Sequence, residues 1–199
     1  MKTTDALMLV AVVAVALSTV NLIITVNKIG DFKILSGFVT DTGVANLTIQ
    51  SNVNVNFTTA NITWGTGYVN STLPSAELTT QGIMNGTGWN NVTSGLILEN
   101  IGNENVNLTL YASKAALAFL GSATAVFEWN TTEAEAGSCP TLLNITDWTT
   151  VTTAMQPACD NFTFDTTDTI EIDLRVVIPE DASVGDKGVT ITANAETLP

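Results

Sequence analysis

An uncharged apolar run near the N-terminus constrains this chain more than any other feature. Residues 6–27 read ALMLVAVVAVALSTVNLIITVN, without one charged side chain. Taking 6–26 as a helix, 21 residues at ~1.5 Å each rise about 31 Å, close to the hydrocarbon thickness of a bilayer. A cleaved secretory signal would instead carry a short apolar core followed by a small-residue site. Ala14-Val15-Ala16 offers such a site, but it lies inside the run, with Val20 to Val26 still to come. The length therefore excludes a simple signal peptide. A membrane anchor, or a helix shared with other copies of the chain, remains.

The run is rich in Val and Ala, and the small residues Ala11, Ala14, Ala16 and Ser18 would let two helices approach closely. Its polar residues, Ser18, Thr19, Asn21 and Thr25, all lie in the second half. Ser and Thr can bond back to their own helix, whereas Asn21 either prefers a partner across an interface or sits near a membrane surface. Asp5 precedes the run, where an acid complements a helix N-terminus through the dipole. Met1-Lys2-Thr3-Thr4-Asp5 followed by Ala6-Leu7-Met8-Leu9-Val10-Ala11-Val12-Val13 resembles the mature start of type IV pilins and archaeal flagellins. Many pilins carry Glu at the fifth position, where it pairs with a neighbouring subunit's N-terminal amine; Asp5 matches in kind but not in identity. The resemblance covers roughly residues 1–36. It implies a leader removed ahead of Met1, and a helix that rests in the membrane and then packs into the core of a homopolymer. Asp5, Ala11, Ala14, Ser18 and Asn21 would be its assembly residues.

Beyond Asn27 the chain reads KIGDFKILSGFVTDTG. Ile29, Phe32, Ile34, Leu35 and Phe38 could form one face of a continuing helix, weakened by Gly30 and Gly37, and residues 40–43 look like a turn. Residues 1–38 are thus read as helix and neck, and 39–199 as a second domain. There the period changes to two. Leu47 and Ile49, then Val53, Val55 and Phe57, then Ile62 and Trp64 alternate with polar residues. Further strands are expected over 94–100, 105–111, 169–177 and 188–193. The turn 101–104 would make a hairpin of the runs 94–100 and 105–111, and the loop 178–185 a closing hairpin; both phrases are similar to segments of extracellular immunoglobulin-like sandwich domains. Residues 113–120 read as a short helix, and Trp64, Trp89, Trp129 and Trp148 as core. The expected fold is α+β: a long N-terminal apolar α-helix followed by an antiparallel β-sandwich, immunoglobulin-like or jelly-roll.

The second domain is dense in Asn-x-Thr sequons, at Asn46, Asn56, Asn61, Asn70, Asn85, Asn91, Asn107, Asn130, Asn144 and Asn161. Ten of 19 asparagines have Thr two places on and none has Ser, where chance predicts about four acceptors of either kind. Alternating Asn/Thr-rich strands raise that expectation, but the exclusive use of Thr points to selected sites. N-linked sugar would put this domain outside the cell, as would a disulfide between Cys139 and Cys159. That bridge would close a Thr-rich loop and contribute roughly 3 kcal/mol.

The formal charge is −13, and residues up to Asp41 balance three Lys against three Asp, so the excess of acid is all downstream. Such a surface repels nucleic acid. The chain has no His, which removes Ser-His and Cys-His pairs and most zinc sites. Asp160, Asp165, Asp168, Glu171 and Asp173 are close in sequence; they could serve calcium or a glycosidase pair, but alternation and solvent-facing turns account for them. No catalytic, cofactor or metal residue is therefore expected. The expectation is an extracellular structural protein whose partner is itself, in the membrane before assembly, with a role in adhesion or motility. A membrane-anchored envelope glycoprotein (adhesin or surface-layer component), or a thread in which residues near 39–50 complete a neighbour's sheet, are the alternatives.

Overall fold

The computed structural model describes residues 3–30, 47–70, 72–140 and 145–198. The neck over 31–38, the turn at 40–43, and the sequon asparagines Asn46 and Asn144 lie outside the described residues. The chain divides into two compact units, Met1–Thr48 and Ile49–Pro199.

Helix α1 (Thr3–Gly30) runs for 28 residues, about 42 Å at the rise of an α-helix. Within it Thr3–Thr25 is long and apolar enough to cross a membrane, with a mean hydropathy of 2.6. Three of its four mid-span polar residues close on their own backbone. Ser18 Oγ donates to Ala14 O at 2.8 Å, Thr19 Oγ1 to Ala16 O at 2.9 Å, and Thr25 Oγ1 to Asn21 O at 2.8 Å. These bonds let hydroxyls sit in an apolar medium without an orphaned donor.

The second unit is an antiparallel two-sheet sandwich. Its strands are β1 (Val55–Thr59), β2 (Ser75–Thr79), β3 (Leu96–Asn100), β4 (Val106–Ala112), β5 (Val126–Glu133), β6 (Thr149–Thr150), β7 (Gln156–Phe162), β8 (Thr169–Pro179) and β9 (Ile191–Thr197). A short helix α2 (Ala116–Leu120) links β4 to β5. The larger sheet runs β1-β3-β8-β5-β6, with β2 also on β8; the smaller runs β7-β4-β9. β8 organises the larger sheet: one edge meets β3 through Thr169–Ile172 and β2 through Arg175–Pro179, while β5 covers the other.

Alternation explains why the sheets face one another. Ile170, Ile172, Leu174 and Val176 of β8 point inward, as do Val106, Leu108, Leu110 and Ala112 of β4, all nearly inaccessible. Each larger side chain buried this way stabilises the fold by about 1.5–3 kcal/mol. Trp129, Phe127 and Phe162 fill the space between. Of the four tryptophans expected in the core, Trp129 alone is fully buried; Trp64, Trp89 and Trp148 are half-buried. Cys139 and Cys159 form the expected disulfide, with Cα atoms 5.9 Å apart, and tie the loop after β5 to β7 in the other sheet.

Two local expectations are corrected. β3 and β4 do not pair: β3 lies in the larger sheet and β4 in the smaller, and the same holds for β8 and β9. Both connections are arches between sheets rather than hairpins. At the first arch Asn100, 1% exposed, directs the turn. Its Nδ2 donates to Glu104 O (3.1 Å) and Phe162 O (3.2 Å), and its Oδ1 accepts from Gly102 N (3.0 Å). Gly102 fits because a Cβ there would come within 2.4 Å of Asn52 O. The other correction concerns residues 47–50 and 62–64, which alternate in sequence but form no strand.

Candidate functional site

The chemistry-bearing surface of the sandwich is its set of sequons. A strand alternates sides, so an Asn-x-Thr triplet with an apolar middle residue must turn Asn and Thr to one face and the middle residue to the other. Asn107-Leu108-Thr109 on β4 and Asn161-Phe162-Thr163 on β7 do this, with Leu108 and Phe162 fully buried and both asparagines half-buried. On β1, Asn56 and Thr58 are exposed around Phe57, and Asn61 and Asn91 are exposed beside the partly buried Ile62 and Val92. Asn85 is exposed, while Asn70 and Asn130 are half-buried. None of the eight described sequon asparagines belongs to the buried class.

Their hydrogen bonding shows which side-chain atom is engaged. N-glycosylation joins sugar to the side-chain nitrogen, Nδ2. Where a described sequon asparagine is bonded, the oxygen is used: Asn70 Oδ1 accepts from Thr72 N and Oγ1, both at 3.1 Å. Asn85 Oδ1 accepts from Glu77 N, and Asn161 Oδ1 from Asn105 Nδ2 at 2.8 Å. Asn130 has its Oδ1 buried without a donor. Among the described residues no sequon Nδ2 donates a hydrogen bond. Asn100, Asn103, Asn105 and Asn194, which are not in sequons, all donate through Nδ2. The nitrogen that sugar would modify is thus unbonded in every described sequon, as it also is in the non-sequon Asn21, Asn52, Asn54 and Asn90.

The carboxylates singled out in the sequence do not converge. Asp173, on the outer face of β8 but 5% exposed, accepts from Thr80 Oγ1 (2.5 Å) and Gln81 Nε2 (2.8 Å). Asp165 and Asp168 lie in the loop between β7 and β8, and Asp160 lies on β7. Among the described residues no three of His, Cys, Asp or Glu are grouped to hold a metal ion. Sequence reasoning missed the ionic cluster beside Asp173. Arg175 bonds Glu77 at 2.6 Å and Glu128 at 2.7 Å, joining β2, β8 and β5 across the larger sheet. The hydrogen bond that Arg175 donates to Glu77, and with it the one to Glu128, holds the guanidinium pKa above its ordinary value despite partial burial. The alternation of β8 carried a signal for the outward Arg, though not for the identity of its partners.

On α1, Asp5 occupies the first turn. Ala11, Ala14, Ser18 and Asn21 are exposed, and their spacing places them within about 80° of one another around the helix. Asn21 is the mid-span polar residue whose side chain makes no bond to its own helix among the described residues.

Comparison with protein-family models, curated proteins and solved structures gives no match. What sequence and structure jointly establish is an N-terminal apolar helix long enough to cross a membrane, followed by a disulfide-bonded antiparallel β-sandwich.

Proposed function

We infer that this chain is the structural subunit of an extracellular filament of the type IV pilin or archaeal flagellin kind, polymerising through α1 with a glycosylated β-sandwich outside. The observation that carries this reading is the state of α1. Apolar side chains such as Leu7, Val10, Val13, Leu17 and Ile24 are exposed along its length, and among the described side chains of the span none is buried. So much exposed apolar surface requires lipid or copies of itself. In this reading the helix leaves the membrane and bundles with its neighbours, and the small residues of the Ala11–Ala14–Ser18 face allow close approach. The unbonded Nδ2 atoms of the described sequons support a sugar coat on the sandwich. The protein acts by self-association, in adhesion or motility, and not by catalysis.

A membrane-anchored envelope glycoprotein is the second reading, and the back-bonded Ser18, Thr19 and Thr25 favour it, since a lone span needs that self-satisfaction. Asn21 argues the other way. The strand-exchange alternative has less support, because Gln50 O already accepts from Asn103 Nδ2 in the same domain. Electron microscopy of purified surface material, with mass spectrometry of the native N-terminus and glycopeptides, tests the proposal. Helical filaments made of this chain and bearing sugar on sequon peptides are expected. Recovery of the chain solely as a detergent-extracted monomer would refute it.

A further inference from the structure

Of the chain's 19 asparagines, Asn85 alone is followed by glycine. A backbone nitrogen can attack the side-chain amide carbon of the asparagine before it and close a cyclic imide. A Cβ on the attacking residue obstructs that approach, and glycine has none. The other sequons place Leu, Phe, Ile, Val, Ser or Thr there. The fold holds both members of the Asn85-Gly86 pair in place. Asn85 lies opposite β2: its N donates to Glu77 O (3.1 Å) and its Oδ1 accepts from Glu77 N. The side chain thus continues the ladder begun by the bridge between Leu78 and Met84. Gly86 packs against the indole of Trp89, where a Cβ would come within 2.1 Å of Cζ3 and 3.0 Å of the Ala76 Cβ. Any other residue at 86 would push the ring aside. Packing therefore keeps the pair most open to attack, in an exposed sequon.

Each group that the reaction needs is available. Asn85 is exposed, so water and base reach it. Gly86 N, the nucleophile, donates no hydrogen bond among the described residues. Asn85 Nδ2, the leaving nitrogen, is likewise unbonded. The Glu77 N–H sits on Oδ1, where negative charge develops as the amide carbon becomes tetrahedral. A backbone donor so placed stabilises that charge.

We propose that Asn85 cyclises onto Gly86 N and loses its amide unless sugar occupies Nδ2. In the bare chain the Gly86 nitrogen gives its proton to solvent base and bonds to Asn85 Cγ. The Cγ–Nδ2 bond breaks, and the nitrogen takes up a proton and leaves as ammonia. Water then opens the imide at either carbonyl, which leaves aspartate or isoaspartate and one more negative charge; nothing is oxidised or reduced. Isoaspartate lengthens the main chain by a carbon at the point where residue 85 clasps Glu77, whose own side chain holds Arg175. Sugar on Nδ2 shields Cγ and stops that nitrogen from leaving as ammonia, while the bond from Glu77 N to Oδ1 is kept. The protective part rests on the glycosylation reading above; the cyclisation does not.

Thr87→Ala tests it by removing the acceptor hydroxyl and so baring Asn85. The fold should tolerate the change, because Thr87 bonds Tyr68 through backbone atoms (2.8 and 3.2 Å). Thr93→Ala bares Asn91 for comparison, also exposed but followed by Val92, whose branched side chain crowds its own nitrogen. Each full-length folded protein is incubated in mildly alkaline buffer with detergent. Chymotryptic peptides are then read by mass spectrometry, glycopeptides with their sugar in place. Imide and isoaspartate are expected to build up at Asn85 in Thr87→Ala several-fold faster than at Asn91 in Thr93→Ala. They should form faster still as pH rises, and be absent from wild-type peptides carrying sugar at Asn85. A bare Asn85 that keeps its amide as long as Asn91 would overturn the proposal, as would loss confined to chain unfolded in urea. A wild-type chain with isoaspartate and no sugar at residue 85 would overturn the glycan reading at this site and leave the cyclisation standing.

Discussion

Asn100→Ala is the sharpest test of how the two sheets are joined. The wild-type side chain makes three hydrogen bonds at 3.0–3.2 Å while 1% exposed, binding the end of β3, the arch at Gly102 and Glu104, and the end of β7. Alanine deletes all three and leaves Phe162 O and Glu104 O without that donor. At about 1 kcal/mol for each bond, the expected loss is ~3 kcal/mol. For a domain of this size that is a fall in Tm of roughly 6–12 °C. The assay is thermal unfolding of the full chain in detergent, followed by tryptophan fluorescence, to which the buried Trp129 contributes. Asn103→Ala is the control: the same residue type three positions on, with two bonds to the backbone of Gln50 and Asn52, but exposed. Water replaces what it loses, so the cost should stay below ~1 kcal/mol. Asn100→Asp should be worse than alanine at neutral pH, because a carboxylate would face two carbonyl oxygens, and should recover as acid protonates it. Equal effects of the alanine substitutions at 100 and 103 would refute the keystone role of Asn100.

Gly95→Ala should cost about 1–3 kcal/mol through overpacking, because a Cβ there would meet Ile172 O at 2.5 Å; an unchanged denaturant midpoint would show that β3 and β8 can separate freely. Replacing Cys139 and Cys159 together by Ser, or reducing the bridge between them, should lower stability by roughly 3 kcal/mol, read from urea unfolding, and no difference between oxidised and reduced protein would refute it. Asp168 has its pKa raised above the ordinary 3.8 by burial and by Glu99 and Glu135. A raised carboxylate costs stability above its folded pKa, and the cost vanishes as pH falls; Asp168→Asn should therefore flatten the decline of Tm with rising pH just above 3.8. An identical slope in the variant would sink that account. Thr93→Ala removes the acceptor of the exposed Asn91 sequon and should abolish sugar on that peptide by mass spectrometry while changing stability by less than ~0.5 kcal/mol.

The helix was legible because 22 successive residues lack charge, a signal that needs no tertiary context. β3, β4, β8 and β9 were legible because their inward positions are aliphatic at every second residue. β5 escaped notice because Thr131 occupies a core position, 1% exposed, its hydroxyl satisfied by Ile145 O, and a polar residue there breaks the apolar period. β7 escaped because it contains Pro157 and its register with β4 shifts twice, so its burial does not alternate. The hairpin expectation failed for a different reason: period two tells which face a residue takes, but not which sheet the strand joins. That choice depends on the side chain of Asn100, which in sequence reads as an ordinary turn asparagine. The candidate site was legible as a list of sequons, whereas the engagement of the oxygens of Asn70, Asn85 and Asn161 required the fold.

The position of β8 in the chain has a consequence in time. This strand pairs with β2, β3 and β5, and Glu77 finds its partner Val177 a hundred residues downstream. A chain emerging N-terminus first cannot assemble the larger sheet until residues 169–179 have appeared. All ten sequons precede Thr169. At ~10 residues per second, Asn56 waits about 10 s before its sheet can close, with its neighbourhood still an extended, accessible chain. Non-local pairing of this kind slows folding further. A transferase working on unfolded substrate would thus meet every sequon, including the half-buried Asn130 of β5, before β8 arrives to pair with that strand.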